Sequence, residues 1–524
     1  MKKYLYVCIL FFSFCCVGCF EDESSLSIRN LNPIRIENIE LDGSYAVYMG
    51  DTLNVEPLVF CEGVPDAELS FEWQLSGNTI VPTILDSTMY MSAQIVAPPA
   101  TNPYLLKFTV TDNTTGIARI EQFNVSVQSP YGPGLIVVDT KDGLTSDLSL
   151  IRSREFTSEI PSDDDQKRIF RHVWSQNNGA PLDGLVLDLI TNSYGTNRSM
   201  TILTTEHILR ADYTDYVNMP EEQDENMFLV KPTHIGNGSY THGLFSEEES
   251  RGEELMSVNG LLTMRSQQQG NRHYGYTLYP VGILDYDVTM MYNPEWCPVY
   301  CYDALGERML FYSGGVLSVA EEQVSDSKFD VNDLSDYEPF LLDEISSGIV
   351  LLTKQKSTGA FIGLVMDKLE DNGQNFAKST FDFSSAMDID QALFFDVNAS
   401  EDVIYYATES KVYAAPIANM SAAVQWEVQV GSGDKITDIK VYDFETGGYC
   451  MYQGTTSGGD PTDSSQPSSH RMMMIFTYND ATQEGKITCV PITNLGRGSL
   501  EKNRAYHVTF PGFNKITGVY CQQK

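Results

Sequence analysis

Four kinds of side chain in this sequence could do chemistry: histidines, paired carboxylates, cysteines and exposed aromatic rings. The seven histidines are His172, His207, His234, His242, His273, His470 and His507. No two stand at the His-Glu-x-x-His spacing that puts two imidazoles on one helix face around zinc. His234 and His242 flank Gly236-Asn237-Gly238-Ser239-Tyr240 and could share a loop. No Gly-x-Ser-x-Gly, Walker or Gly-x-Gly-x-x-Gly segment occurs. No catalytic residue, metal ligand or cofactor is therefore assigned. Glycoside cleavage needs two carboxylates brought from distant strands. With 71 Asp and Glu available, the sequence singles out no pair. Asp396-Val397-Asn398-Ala399-Ser400-Glu401-Asp402 sets oxygen side chains at alternate positions, like a calcium loop. It lacks the central Gly and the distal Glu and reads as a β-turn. Cys297 and Cys301 have three residues between them, which is neither a zinc-knuckle nor a redox-pair spacing. The candidate ligand-binding residues are Trp174, Trp296 and Trp426, because an exposed indole stacks on a sugar ring or a peptide; core packing is the alternative for each.

The elements that would position these residues are strands. Apolar runs of four to seven residues, rich in Val, Ile, Tyr, Phe and Thr, are bounded by Gly, Asn, Asp and Ser. The fold class expected is all-β. Residues 30–128 form a first unit with candidate strands at 34–39, 52–59, 69–75, 105–111 and 118–127. Phe71, Trp73 and Leu75 alternate onto one face, which places Trp73 between two sheets. Residues 129–133 carry Pro130, Gly132 and Pro133 and break any strand.

Residues 134–524 repeat a strand–turn–strand unit seven times. The pairs are 134–139 with 147–151, 199–204 with 207–211, 254–258 with 260–264, 308–312 with 315–319, 348–353 with 361–367, 402–408 with 411–417, and 471–478 with 486–492. A four-stranded propeller blade with long loops suits a repeat of about 56 residues. The last unit reads as four strands, 436–442, 448–453, 472–478 and 486–492, with 456–469 as a low-complexity loop. The lone strand 515–521 would complete the opening blade and so close the ring. A seven-bladed propeller is expected; six or eight blades, or stacked sandwiches, would also fit the spacing.

Lys2 and Lys3 precede an apolar stretch, 7–14, that ends at Cys16-Val17-Gly18-Cys19. The layout is that of a secretory signal, too short to span a membrane. The last four residues resemble a lipobox, with Gly18 and Cys19 in place and Cys16 and Val17 off the pattern. The resemblance implies cleavage before Cys19, acylation of Cys19 and a firm membrane anchor. Residues 1–18 would be the signal and 19–29 a tether. The acidic Phe20-Glu21-Asp22-Glu23-Ser24-Ser25 resembles the export signal for the outer face of the Bacteroides outer membrane, which implies an outer-membrane location facing the exterior; attachment facing the periplasm is the alternative. Lys and Arg number 34 against 71 Asp and Glu, for a net charge of −37. Such a surface repels nucleic acid and anionic headgroups. Cys61, Cys297, Cys301, Cys450, Cys489 and Cys521 remain after the signal, and buried thiols are the expected state for most.

Tyr104-Leu105-Leu106-Lys107-Phe108-Thr109-Val110-Thr111-Asp112, the turn to Gly116, and Phe123-Asn124-Val125-Ser126-Val127 resemble the end of a PKD-type Ig-like domain. Asp and Asn cap such a turn and Gly supplies φ > 0. The whole layout is similar to the PKD-like family lipoproteins of Bacteroidetes: a lipobox, one Ig-like β-sandwich, then a long β-rich region. The resemblance implies a non-enzymatic binding or accessory protein at the cell surface, capturing glycan or peptide with a SusC/SusD-type uptake system, the Ig-like domain serving as a spacer. A propeller hydrolase or lyase using channel carboxylates, and a structural adhesin, are the other readings.

Overall fold

The computed structural model describes residues 33–522 except 39–43, 62–67, 79, 101, 162, 164–165, 193–197, 233–234, 236–238, 249–251, 267–271, 295–297, 321–325, 369–376, 457 and 459. Among these residues no helix is long and apolar enough to cross a membrane. The signal segment, the tether and Cys19 lie outside the described residues. The chain divides into two compact units between Pro130 and Tyr131.

In the first unit a five-stranded sheet runs in the spatial order Ser44–Tyr48, Ala118–Gln128, Tyr104–Asp112, Leu69–Gly77, Ile80–Asp86. The first pair is parallel and the rest antiparallel. Two short ladders, Ile34–Glu37 with Leu58–Cys61 and Thr52–Val55 with Met91–Gln94, complete the unit. Pro57 lacks a ladder N–H and divides the expected strand 52–59 in two. Strict alternation buries every second residue of Tyr104–Asp112. Trp73 is fully buried, stacks on Phe108 at 3.9 Å between centroids and donates its indole N–H to Thr88 O at 3.0 Å. Trp73→Ala should cost about 3–5 kcal/mol. It would be read as a lower denaturation midpoint for this unit's transition alone, and a loss under about 1 kcal/mol would refute the central packing role. The closing turn forms as its residues dictate: Thr114 and Thr115 donate to Asp112, whose carboxyl these hydroxyls hold down at about 2, and Gly116 has φ +74°.

The second unit is a β-propeller: antiparallel sheets whose first strands pack side by side around an axis. The described residues give seven such sheets and one separate two-stranded hairpin. The first is Lys515–Gln522, Gly134–Thr140, Thr145–Arg152 and Arg168–Phe170 in spatial order. The second is Val186–Asn192, Ser199–Thr204, Ile208–Asp212 and Val217–Gln223, and the third Gly243–Glu248, Glu253–Val258 and Leu261–Ser266. The fourth is Val288–Tyr292, Val299–Asp303, Arg308–Ser313 and Val316–Val319. Tyr337–Ile345, Gly348–Gln355, Phe361–Met366 and Ala377–Asp382 make the fifth, and Phe394–Asn398, Glu401–Ala407, Lys411–Pro416 and Ala423–Glu427 the sixth. The seventh runs Asp434–Val441, Met472–Asn479 and Glu484–Asn494, with Ser499–Leu500 and Val508–Phe513 both pairing the third strand. All seven hairpins expected from the repeat pair antiparallel; 308–312 with 315–319 are third and fourth strands rather than second and third.

The strand at the C-terminus pairs with Gly134–Thr140 over its length, joining the two ends of the unit. One expectation fails. Tyr449–Thr455 does not belong to the seventh sheet, because Asp434–Val441 pairs directly with Met472–Asn479. Tyr449–Thr455 pairs instead with Pro461–Pro467, within the segment expected to be loop, as a separate inserted hairpin. Gly448 makes the insertion possible: a Cβ there would lie 2.3 Å from Glu155 O.

Candidate functional site

The first strands of the sheets line the axis, and four of them carry an aspartate among apolar neighbours: Asp188, Asp343, Asp396 and Asp438. Pairing shifts register at or next to Asp188, Asp396 and Asp438, and such bulges re-aim side chains. The carboxylates serve the backbone first. Asp188 accepts from Leu189 N at 2.9 Å and Phe245 N at 2.6 Å, tying the second sheet to the third. Asp396 accepts from Val441 N, tying the sixth to the seventh. Asp343 accepts from Glu344 N at 2.6 Å and Asp438 from Ile439 N at 2.8 Å.

Lys440 stands in their midst with its ammonium 5.3 Å from the centre of the Phe444 ring. Asp443 foremost, then Asp396, Asp343 and Asp188, hold it charged against the burial that favours losing the proton. Burial pushes Asp188 and Asp438 up to about 6. Burial, helped by the Asp443 charge, pushes Asp343 up to about 7, and burial raises Asp396 well above the usual carboxylate range. Asp438 is open to water-sized space yet walled by protein, which is the environment of a narrow channel. Desolvation therefore raises the proton affinity of all four aspartates, and Lys440 balances part of the charge they carry.

Two spaces meet at Lys440. A chamber of about 20 Å³, bounded by Tyr292, Asp343, Asp396, Asp443 and His470, has room for about one water. On the other side a cavity of about 230 Å³ is lined by Asp188, Asp438, Thr517 and Tyr520. His470 also borders an open depression of about 500 Å³, lined with Ser400, Glu445, Tyr452, Pro467 and Arg471. The inserted hairpin supplies Tyr452 and Pro467 to its wall. His470 is left-handed at φ +55°, donates its N–H to Tyr442 O at 2.7 Å and accepts from Asn398 Nδ2 at 3.0 Å. Its Nδ1 is buried without a hydrogen-bond partner. Tyr452, Arg471 and the hairpin's polar groups can stack on and hydrogen-bond a ligand the size of a short glycan or peptide.

The tryptophans lie elsewhere. Trp174 lies in the short helix Val173–Asn178, only 4% exposed and packed in the core with Leu150, Leu189 and Tyr216. A ring so enclosed offers no face for stacking. Trp426 sits on the fourth strand of the sixth sheet, half-buried against that sheet's core. Trp296 lies outside the described residues. So does His234, while His242 Nε2 pairs with Asp287 Oδ1 at 2.7 Å. In the 396–402 turn the oxygens diverge: Asp396 binds Val441 N, Asn398 binds Ser400 N and Asp402 binds Ser346 and Ser347. Among the described residues no metal-holding cluster of His, Cys, Asp and Glu occurs. Cys301, Cys450, Cys489 and Cys521 are buried free thiols, Cys61 is half-buried, and Cys297 lies outside the described residues.

Sequence reasoning missed the axial aspartates, Lys440, Tyr452 and Arg471. A partial signal existed: Leu187-Asp188-Leu189 and Phe395-Asp396-Val397 each place an aspartate between apolar residues of a first strand, whereas Asp343 and Asp438 lie in strands that carry further charges.

Residues 19–185 match the PKD-like family. That stretch covers the first unit and runs on through the first described strands of the propeller. No curated protein matches the chain. Among solved structures it is similar to a quinonprotein alcohol dehydrogenase-like protein from Bacteroides thetaiotaomicron, at 10% identity and a TM-score of 0.37, over 95% of this chain and 100% of the other. It is also similar to apo AztD from Citrobacter koseri, at 9% and 0.32 over 86% and 100%, and to the WD40 domain of SCAP from fission yeast, at 8% and 0.31 over 62% and 74%.

Proposed function

We propose that this is a non-enzymatic cell-surface binding protein that captures a glycan or peptide in the depression beside the inserted hairpin. The observation that carries the reading is that depression: about 500 Å³, open, and lined by an aromatic ring, a guanidinium and several hydroxyl groups. The PKD-like match over residues 19–185 accords with an accessory role. On this reading Cys19 carries the lipid, the protein faces outward from the outer membrane, and it hands its ligand to a SusC/SusD-type uptake system.

A second reading, a hydrolase or lyase, draws on Asp343 and Asp396, neighbouring axial carboxylates with raised proton affinity. Against it, both accept backbone N–H bonds and the chamber beside them has room for about one water. The test is a glycan and peptide binding screen of the soluble chain, residues 20–524, with turnover followed in the same wells. Binding without product is expected, and Tyr452→Ala should weaken it about tenfold through the lost stacking face. Product formation that stops in Asp343→Asn or Asp396→Asn would replace this reading with the enzymatic one.

A further inference from the structure

We infer that the depression recognises a carboxylate on its ligand, with Arg471 as the residue that reads it; this rests on the depression being the ligand site. Arg471 is partly buried and lines the depression. Among the described residues its guanidinium makes no ion pair and no hydrogen bond, although the chain carries 71 acidic residues against 34 basic ones. In so acidic a protein a guanidinium finds carboxylate partners easily, and Arg152, Arg210, Arg265 and Arg308 all do.

The backbone beneath Arg471 is pinned. Its N–H donates to Ser468 O at 3.0 Å, and its carbonyl accepts from Ile492 N at 2.8 Å and Gln466 Nε2 at 3.2 Å. The left-handed His470 precedes it and lines the same space. The fold thus holds a five-donor planar group at the edge of a cavity and leaves its donors unused. A guanidinium fork matches a carboxylate in two parallel charge-assisted bonds. Tyr452 supplies the stacking wall for the rest of the ligand. Glu445 lines the depression as well, without pairing with Arg471, and sets a repulsion that a ligand carboxylate must clear. Such a carboxylate belongs either to an acidic sugar or to a peptide C-terminus.

Four probes in matched pairs separate these sources: oligogalacturonate against its methyl ester, and tripeptides with a free against an amidated C-terminus. Binding to the intact soluble chain is measured by calorimetry. One acidic probe should bind at least tenfold tighter than its neutral twin, and which pair shows the gap names the source. Arg471→Gln should erase the gap by weakening the acidic probe roughly ten- to a hundredfold while sparing the neutral one. Glu445→Gln should widen it. Arg471→Lys, which keeps the charge and loses the fork, should fall between and guards against a folding defect in the first variant. Equal binding of acidic and neutral twins by the unaltered protein overturns this inference and leaves the ligand-site reading standing. Absence of binding to all four probes overturns both.

Discussion

Removing Lys515–Gln522 should abolish cooperative unfolding of the propeller while the first unit still melts as before. The strand hydrogen-bonds along Gly134–Thr140 and carries Ile516 and Val519 into the core shared with the seventh sheet. Without it, Gly134–Thr140 becomes an unpaired edge exposing Leu135 and Val137, the feature that leads to aggregation. Gln522 concentrates the effect. It is fully buried; its amide donates to Gly132 O at 3.2 Å, Tyr213 O at 3.3 Å and Tyr131 O at 2.5 Å, and its carbonyl accepts from Tyr216 Oη at 2.5 Å. Gln522→Ala strands these partners in a dry site, and leaving buried polar groups unpaired costs about 1–3 kcal/mol each. Calorimetry of the full soluble chain should show one transition lowered by several degrees and the other unmoved. A truncated chain that retains both transitions at full enthalpy would show that the ring does not depend on its closing strand.

The propeller should grow more stable as pH falls from 8 to 5. Asp188, Asp343, Asp396 and Asp438 bind protons more tightly in the folded protein than in the unfolded chain, where a carboxylate sits near 3.9. Between those values the folded state holds more protons, so acid favours it; the effect saturates once the unfolded groups protonate too. Asp343, at about 7, contributes on the order of 2 kcal/mol across pH 8 to 5. Carboxylates of the opposite kind set the lower limit. Asp336, lowered by Ser357, and Asp382, lowered by Ser384, withdraw their stabilisation only below about pH 4. Asp343→Asn should flatten the slope of midpoint against pH, since its amide oxygen can still accept from Glu344 N. Lys440→Met should steepen it, because no cation then balances whichever aspartates ionise. A midpoint that is flat or rises from pH 5 to 8 would mean the axial carboxyls are solvated and ordinary.

The sequence alone determined the class of fold and the division of the chain. Period-two alternation in Tyr104–Asp112 and continuous apolar runs such as Gly134–Thr140 report burial on one face or both, which is a local property. Trp73 and the Asp112–Gly116 turn were legible for the same reason. Edge strands were not. Ile80–Asp86 contains Pro82 and is largely exposed, so its composition resembles a loop, and only its ladder with Leu69–Gly77 makes it a strand. Pro461–Pro467 is the same case, a polar segment ordered by its partner Tyr449–Thr455. The assembly of the candidate site lay beyond local reading. Trp174 looked available because aromatic type says nothing of enclosure, and its burial is set by the first and second sheets packing around it. Asp188, Asp343, Asp396 and Asp438 are separated by up to 250 residues of sequence, and only ring closure brings their carboxyls to one axis around Lys440. Desolvation and charge proximity, which decide what those groups do, exist only once the sheets have packed.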